Sequence, residues 1–305
     1  MSCITPKSGS YTHAALRLGR ELAVALIAIT IACGGRAERS PAPTPVAASG
    51  ACRLSATQGL RAISLGSRTY HLYVPAGIDG QGPLLVSLHG TGANGTIQAA
   101  VTHWTEFADS NHFIAVFPDG LNTLWFWGAE KSYDVDFIYQ VIADVRSSGC
   151  VDMSHVYVDG WSEGAYMAQR MACTNGDPAV ASLGVTIAAI HGYAGGNPSD
   201  GACPASKPTR VLLSQGLDDH LIDPQKVGYP AFAAWGRRYR CDAAPKPYSS
   251  PQHLTGCVAG TDVAWWPIAG QGHLDWSCTA DPLWHDRGVW DFFTKGLETE
   301  DTTCS

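Results

Sequence analysis

Continuous apolar runs alternate with helix-like segments along most of the chain, and this alternation constrains the fold more than any other feature. Runs such as PLLVSLHG (83–90) and FIAVFPDG (113–120) show no polar alternation, as expected of strands buried on both faces. The segment VDFIYQVIADVRS (135–147) instead places its apolar residues at helical spacing. Strands that alternate with helices predict an α/β fold with a mostly parallel central sheet and helices on both faces.

The remaining predicted elements extend the same pattern. RAISLG and TYHLYVPAG, which lie before residue 78, are typical of a starting β-hairpin. We see no internal repeat and no second domain after residue 50, so residues 51–305 are predicted to form a single domain. Further strands are predicted at HVYVDG, VTIAAIHG, RVLLSQGLDD and DVAWWPIAG, and further helices at about 163–173, PAFAAWGRRYR and HDRGVWDFFTKGL.

The stretch VYVDGWSEGAYMAQ (156–169) contains a serine between two glycines. The pattern G-x-S-x-G alone is weak, because composition produces it by chance in roughly one chain in four or five. Here a predicted strand precedes it and a predicted helix follows it, which is the context of a nucleophile elbow. Gly160 and Gly164 carry no side chain that would prevent strand and helix from packing closely. We therefore predict that Ser162 is a nucleophile.

A serine hydroxyl needs a base to accept its proton and a group that orients the base. Two later strands end in suitable residues, because RVLLSQG leads into Asp218-Asp219-His220 and DVAWWPIAG leads into Gln271-Gly272-His273. The ends of these parallel strands are expected at the same sheet edge as Ser162. We predict His273 as the base and Asp219 as the acid, with Asp218 as an alternative and Asp223 as a weaker one.

Two further groups of residues are predicted around the serine. A tetrahedral intermediate needs hydrogen-bond donors for its oxyanion, and the backbone N–H groups of Thr91, in HGTGAN, and Glu163 are candidates. Aromatic side chains near the predicted strand ends suit an aromatic, sugar or polyester substrate, although buried tryptophans often belong to the core. The predicted substrate-contacting residues are Trp125, Trp127, Trp161 and Trp276.

The N-terminal segment is typical of export. Lys7, Arg17 and Arg20 precede the apolar run LAVALIAITIA (22–32), which is about eleven residues long, and too short to span a bilayer. Ala32-Cys33-Gly34 then resembles a lipoprotein signal with Cys33 as the lipid anchor, and ordinary secretion is the alternative. We predict a signal peptide over 1–32 and a Pro/Ala-rich tether over 33–50.

Cysteine content and charge limit the other functions. Of ten cysteines, eight remain when Cys3 and Cys33 are set aside, which predicts up to four disulfides in an exported protein. Cys241 and Cys257 are the best single pair, because they bracket a short loop between a helix and a strand. The sequence contains no CxxC pair, so a structural zinc site is not expected. The net charge of −7 does not indicate a nucleic-acid partner. A monomer without cofactor or metal is expected, with membrane contact only through Cys33.

LHGTGAN, FPDG, CVDMSHVYVDGWSEGAYMA, SQGLDDHLI and GQGH together resemble one α/β-hydrolase group over about residues 60–295. This group holds poly(3-hydroxybutyrate) depolymerases, feruloyl esterases and acetyl xylan esterases (carbohydrate esterase family one). The resemblance implies an α/β-hydrolase fold, with Ser162, Asp219 and His273 as catalytic residues and Thr91 and Glu163 as oxyanion donors. Glu163, Ala165 and Gln215 depart from the residues common at these positions.

These observations predict an exported serine esterase that hydrolyses feruloyl or acetyl esters of plant polysaccharide, or hydroxyalkanoate oligomers. A polyester depolymerase is the main alternative. A peptidase or a non-catalytic glycan-binding lipoprotein on the same fold is less favoured. Because the sequence shows no carbohydrate- or polyester-binding module, we expect small or soluble esters rather than a solid polymer.

Overall fold

The computed structural model describes residues 52–54, 57–128, 132–197, 203, 207–242, 246–274 and 281–296. All of them belong to one compact unit, which spans Ala48–Ser305. The predicted signal peptide, the predicted tether and Cys33 lie outside the described residues, as do Trp276, Cys278 and Cys304. The division into signal peptide, tether and catalytic domain therefore stays a prediction.

The described strands form one sheet in the order β1-β2-β4-β3-β5-β6-β7-β9-β8. The six strands from β4 to β9 in that order are parallel to one another, whereas β1, β2 and β8 pair antiparallel. The predicted mostly parallel sheet is confirmed. The strands are β1 Gly59–Leu65, β2 Arg68–Val74, β3 Gly82–Leu88, β4 Ile114–Pro118, β5 Val151–Trp161, β6 Ala189–Tyr193, β7 Arg210–Gly216, β8 Gln252–Leu254 and β9 Val263–Ile268.

The core lies on both faces of this sheet. Successive side chains of a strand point to opposite faces, and in β3 Leu84 and Val86 pack into one cluster while Leu85 packs into the other. Helices α3, α4 and α6 pack in the first cluster, and α2 and α7 in the second. The helices are α1 Gly95–Val101, α2 Trp104–Asn111, α3 Tyr133–Arg146, α4 Glu163–Thr174, α5 Pro178–Ala181, α6 Tyr229–Arg238 and α7 Trp284–Lys295.

Some elements differ from the sequence prediction. α1 and α2 fill the connection between β3 and β4, and both are short, so the sequence carries little helical periodicity there. The Asn94 side chain caps α1 by accepting from the Ile97 N–H at 3.0 Å. β8 has three residues, and β6 begins at Ala189, four residues later than the predicted strand VTIAAIHG.

Three disulfides connect described cysteines. Cys241–Cys257 joins the pair chosen from the sequence, and Cys52–Cys150 and Cys173–Cys203 add two longer closures. Cys52–Cys150 closes the longest loop, with a separation of 98 residues, and loop-closure entropy is expected to make it worth about 4–5 kcal/mol. No helix of the described part is long and apolar enough to cross a membrane.

Candidate active site

Ser162 lies on the turn between β5 and α4 with φ +55° and ψ −118°, a backbone conformation that L-residues rarely adopt. The flanking glycines make this turn possible. A Cβ atom at Gly160 would collide with the carbonyl oxygen of Gly164, and one at Gly164 would collide with the carbonyl oxygen of Leu88. The Ser162 N–H donates to the Tyr193 carbonyl at 2.9 Å and so joins the turn to β6. Strand and helix thus cross at van der Waals distance, with the serine at their junction.

The structure brings Ser162, His273 and Asp219 into one hydrogen-bonded chain. His273 Nε2 lies 3.0 Å from Ser162 Oγ, and His273 Nδ1 lies 2.9 Å from Asp219 Oδ2. The Asp219 side chain is fully buried and the His273 side chain is 11% exposed. The loops that carry the acid and the base are joined by the Asp218 N–H, which donates to the Gln271 carbonyl at 2.9 Å.

The two alternative acids lie elsewhere. Asp218 is exposed. Asp223 accepts from the Gln225 and Lys226 N–H groups and caps the π-helical turn Pro224–Gly228. Only Asp219, among these three, hydrogen bonds to His273 in the structure. The geometry therefore favours Asp219 over Asp218 as the acid.

Donors surround the Asp219 carboxylate. The Leu221 and Ile222 N–H groups donate to Oδ1 at 2.9 Å and 2.8 Å, and Gln215 Nε2 donates to Oδ2 at 3.1 Å. Gln215 also donates to the Ile222 carbonyl, so its amide is held in place. The sequence analysis noted Gln215 only as a departure from the family pattern and assigned it no role, although a long polar residue at the end of an apolar strand was a signal.

A buried histidine fixes the loop that carries Thr91. His89 Nε2 accepts from the Gly120 N–H at 2.9 Å, and its Nδ1–H donates to the Gly90 carbonyl at 2.8 Å. Burial lowers the pKa of His89, which favours the neutral ring that these two bonds require. A Cβ atom at Gly90 would lie 2.9 Å from Cε3 of Trp161, so the glycine lets the loop approach the elbow. Thr91, the next residue, is exposed beside the serine turn.

The tryptophans of the predicted aromatic wall have different environments. Trp127 is half-buried and stacks on Tyr166 with ring centroids 4.6 Å apart. Trp161 is half-buried and donates from Nε1 to the His273 carbonyl at 3.0 Å. The structure does not support the predicted substrate contact of Trp125, because this side chain is 3% exposed and donates to the His89 carbonyl at 2.8 Å. It supports the Thr91 loop from inside and presents no surface to a substrate, and Trp276 lies outside the described residues.

A second polar chain lies in the interior, beneath the elbow. Asp159 Oδ1 lies 2.7 Å from His191 Nδ1, and His191 Nε2 lies 2.6 Å from Ser214 Oγ. The Ser214 hydroxyl also lies 3.1 Å from Nε2 of His285. Burial lowers the pKa of His285 well below its usual value, so this ring is neutral. The sequence signal for this chain was one polar residue near the end of each strand run, in VYVDG, AAIHG and VLLSQ.

Among the described residues, no group of three or more His, Cys, Asp or Glu side chains is arranged to hold a metal ion.

The sheet order, the turn at Ser162 and the positions of Asp219 and His273 define an α/β-hydrolase fold. No protein-family model matches the chain. In sequence it is 24% identical over 234 residues to a bifunctional acetylxylan esterase/xylanase of Neocallimastix patriciarum, which covers 73% of this chain and 33% of that protein. It is also 27% identical over 197 residues to feruloyl esterase D of Neurospora crassa, which covers 61% of this chain and 63% of the relative.

A solved structure shows the same fold. The acetyl xylan esterase from Aspergillus awamori superposes with a TM-score of 0.60 at 17% identity, over 77% of this chain and 98% of that one. These findings confirm the resemblance to the α/β-hydrolase group of acetyl xylan and feruloyl esterases. The chain spans less than two thirds of the length of the two curated relatives named above.

Proposed function

We propose that the protein is an exported serine esterase that hydrolyses carboxylic esters through an acyl-enzyme. The observation that carries this proposal is the continuous chain Ser162–His273–Asp219, with Ser162 on a strained turn at the carboxyl edge of the sheet. Relatives that are named acetylxylan esterase and feruloyl esterase support an ester as the substrate.

In the proposed acylation, Ser162 Oγ attacks the ester carbonyl carbon while His273 Nε2 takes the hydroxyl proton. Asp219 keeps Nδ1–H of His273 oriented and stabilises the imidazolium that forms. The carbonyl oxygen becomes an oxyanion, and the N–H groups of Thr91 and Glu163 are the proposed donors to it. The Glu163 N–H lies at the N-terminus of α4, where the helix dipole favours negative charge.

When the tetrahedral intermediate collapses, the imidazolium gives its proton to the departing alcohol and the acyl group stays on Ser162. Water then enters, His273 takes a proton from it, and the resulting attack on the acyl carbon forms a second oxyanion. Collapse of this intermediate releases the carboxylic acid and returns the proton to Ser162 Oγ. The proton therefore moves only between His273 and the reacting oxygens.

The proposed substrates are feruloyl or acetyl esters of plant polysaccharide, or hydroxyalkanoate oligomers. The half-buried rings of Trp127 and Trp161 lie beside the elbow and offer flat surfaces for an aromatic acyl group or a sugar. A second candidate, a polyester depolymerase, is favoured by apolar side chains that stand exposed on the loops after β4, β7 and β9. These side chains are Leu121, Leu124, Phe126, Leu221 and Leu274.

We also propose that the protein is a monomer that acts outside the cytoplasm. The three disulfides support an oxidising compartment, since such bonds form and persist mainly there. The proposed signal peptide over 1–32 and the proposed lipid anchor at Cys33 account for export, and the proposed catalytic domain then covers 51–305. Radiolabelled palmitate incorporation into wild type but not into Cys33→Ser would test the anchor.

The experiment that tests the esterase proposal is a substrate panel of methyl ferulate, acetylated xylan, hydroxybutyrate oligomers and para-nitrophenyl acetate. We expect turnover of at least one ester, loss of that turnover in Ser162→Ala, and labelling of wild type alone by a fluorophosphonate probe. A folded wild type without turnover and without labelling would contradict the proposal. Hydrolysis of a polyester film by wild type would move the preference to the second candidate.

A further inference from the structure

The side chain of Glu163 lies between two loops of the candidate active site. Its Oε2 accepts from the Thr91 hydroxyl at 3.1 Å. The Trp125 backbone and the Trp127 side chain lie near enough to this carboxyl to act on its pKa, in the direction opposite to the larger effect of burial. Thr91 belongs to the loop after β3, whereas the two tryptophans belong to the loop after β4. The carboxylate at the start of α4 therefore accepts a hydrogen bond from the loop after β3 and lies near the loop after β4.

The His89 bonds hold the start of the loop, and the contact with Glu163 holds Thr91 itself. Thr91 stands between Gly90 and Gly92, and Gly92 has φ +79°, so the backbone on either side of Thr91 is intrinsically permissive. The Thr91 side chain is exposed, and its hydroxyl is the part of the residue that contacts α4. Fixing that hydroxyl limits the rotation of the peptide plane that carries the Thr91 N–H. An oxyanion donor must be aimed to within a few tenths of an ångström to be useful.

A carboxylate at this place has an electrostatic disadvantage. An oxyanion that develops on the substrate beside the Glu163 N–H would be repelled by the negative charge of the same residue. Desolvation raises the pKa of the Glu163 carboxyl, which shows that its environment already disfavours the charge. Electrostatics alone would therefore favour a neutral side chain at position 163. A carboxylate is favoured there only if the side chain must accept hydrogen bonds, because a carboxylate is a strong acceptor.

We propose that the Glu163 side chain is a positioning residue for the oxyanion hole, which fixes Thr91 against the elbow. This inference rests on the proposed esterase function and deepens it. The contribution acts on the transition state through the aim of the Thr91 N–H. Its removal is expected to lower kcat and to leave KM nearly unchanged, because the ground-state ester makes little use of the oxyanion donors.

The experiment compares Glu163→Ala, Glu163→Gln, Thr91→Val and Thr91→Ser with wild type, using an ester that wild type hydrolyses. Glu163→Ala and Thr91→Val both keep the backbone N–H donors but lose the contact, and we expect each to lower kcat about tenfold, with KM changed less than about twofold. Glu163→Gln and Thr91→Ser keep an acceptor and a donor, respectively, and we expect them to recover kcat to within about threefold of wild type.

The double variant Glu163→Ala/Thr91→Val tests whether the two residues act as one unit. We expect its kcat to match that of either single variant, since the same contact is lost, whereas independent roles would multiply the two losses. Ser154→Ala, which removes an exposed hydroxyl at the start of β5, is the matched control and is expected at wild-type kcat. Melting temperatures of all variants separate a loss of kcat from a loss of folded protein.

Wild-type kcat in both Glu163→Ala and Thr91→Val would overturn the inference and leave the esterase proposal intact. A loss that appears in KM alone would also overturn it, because it would place Glu163 in ground-state binding. If Glu163→Ala does not fold, the inference is tested by the loss of kcat in Thr91→Val and the recovery of kcat in Thr91→Ser. Absence of turnover in wild type would instead overturn the proposed function, and this inference with it.

Discussion

The described part of the chain contains two Ser-His-Asp chains, one at the edge of the sheet and one inside it. In Ser162–His273–Asp219 the two hydrogen bonds measure 3.0 Å and 2.9 Å. In the interior chain, which consists of Ser214, His191 and Asp159, they measure 2.6 Å and 2.7 Å. By distance alone, the interior chain has the shorter hydrogen bonds of the two.

The two chains differ in access and in backbone. Ser214 and His191 are each 1% exposed, and Ser214 belongs to a regular strand, β7, with its hydroxyl between two imidazoles. Ser162 instead projects from a strained turn at a helix N-terminus, beside a glycine-flanked loop. Hydrogen-bond distances therefore do not distinguish a reactive serine from a structural one. Partial exposure and a strained turn are the features that separate Ser162 from Ser214, and we propose oxyanion donors only beside Ser162.

The largest expected difference between the two chains is the effect on kcat of replacing their serines, Ser162 and Ser214, by alanine. Ser162→Ala is expected to lower kcat on the order of 10⁴-fold or more, because it removes the proposed nucleophile. Ser214→Ala is expected to keep kcat within a few fold, since no substrate reaches this hydroxyl. Ester turnover and fluorophosphonate labelling of both purified variants measure the contrast. A large loss of kcat in well-folded Ser214→Ala would break the comparison.

The two aspartates should separate activity from stability. Asp219→Asn is expected to lower kcat about 10²- to 10⁴-fold, because the amide no longer holds the required tautomer of His273. Asp159→Asn places an NH₂ group toward either His191 or the pair Ser87 and Trp104, so at least one donor loses its acceptor. The expected cost is about 1–3 kcal/mol of unfolding free energy. Urea denaturation and kcat per folded molecule test both expectations. Equal stability of Asp159→Asn and wild type would contradict the second.

Gln215 offers a smaller test at the edge chain. Gln215→Met keeps the length of the side chain but removes the amide donor to Asp219 Oδ2. The Leu221 and Ile222 N–H groups still hold Oδ1, so we expect only about a fivefold loss of kcat with KM unchanged. Steady-state kinetics across several esters measure it, and a loss as large as that of Asp219→Asn would show that Gln215 has a larger role.

The smallest expected effect is a change in unfolding free energy caused by substitution of Asp286, a buried residue of the interior. Burial raises the pKa of Asp286 well above its usual value, which favours the neutral carboxyl in the folded protein, while the unfolded chain ionises it above about pH 4. Stability from this group is complete below that pH and decreases as the pH rises. Asp286→Asn, neutral in both states, should gain on the order of 1 kcal/mol at pH 7 and nothing at pH 4. Urea denaturation at the two pH values measures the difference, and equal gains at both would exclude this explanation.

The sheet and the edge chain could be predicted because their signals are local. A strand buried on both faces is a continuous apolar run, and parallel strands place their ends at one edge. The residues that follow three such runs are Ser162, Asp219 and His273. The Cys241–Cys257 bond could also be predicted, since it closes only a short loop. These features depend on a few neighbouring residues.

The interior chain and the position of Trp125 could not be predicted, because they depend on which elements meet in space. Asp159 pairs with His191 on the neighbouring strand, but two helices separate these strands along the chain. Each residue taken alone is an isolated polar residue in an apolar run. Trp125 lies in a loop rich in aromatic residues, and the sequence does not show that its indole turns inward to the His89 carbonyl. The longer disulfides depend on contacts of the same kind.

At Ser162 the backbone conformation opposes protein stability to the proposed reactivity of the side chain. A conformation with φ +55° and ψ −118° costs a non-glycine residue on the order of 1–3 kcal/mol, which is a sizeable fraction of the net stability of a domain. Glycine would adopt this turn without that cost, so Ser162→Gly is expected to stabilise the fold while it removes the hydroxyl. The three disulfides and the dense aromatic packing of this protein offset what a serine costs at that turn.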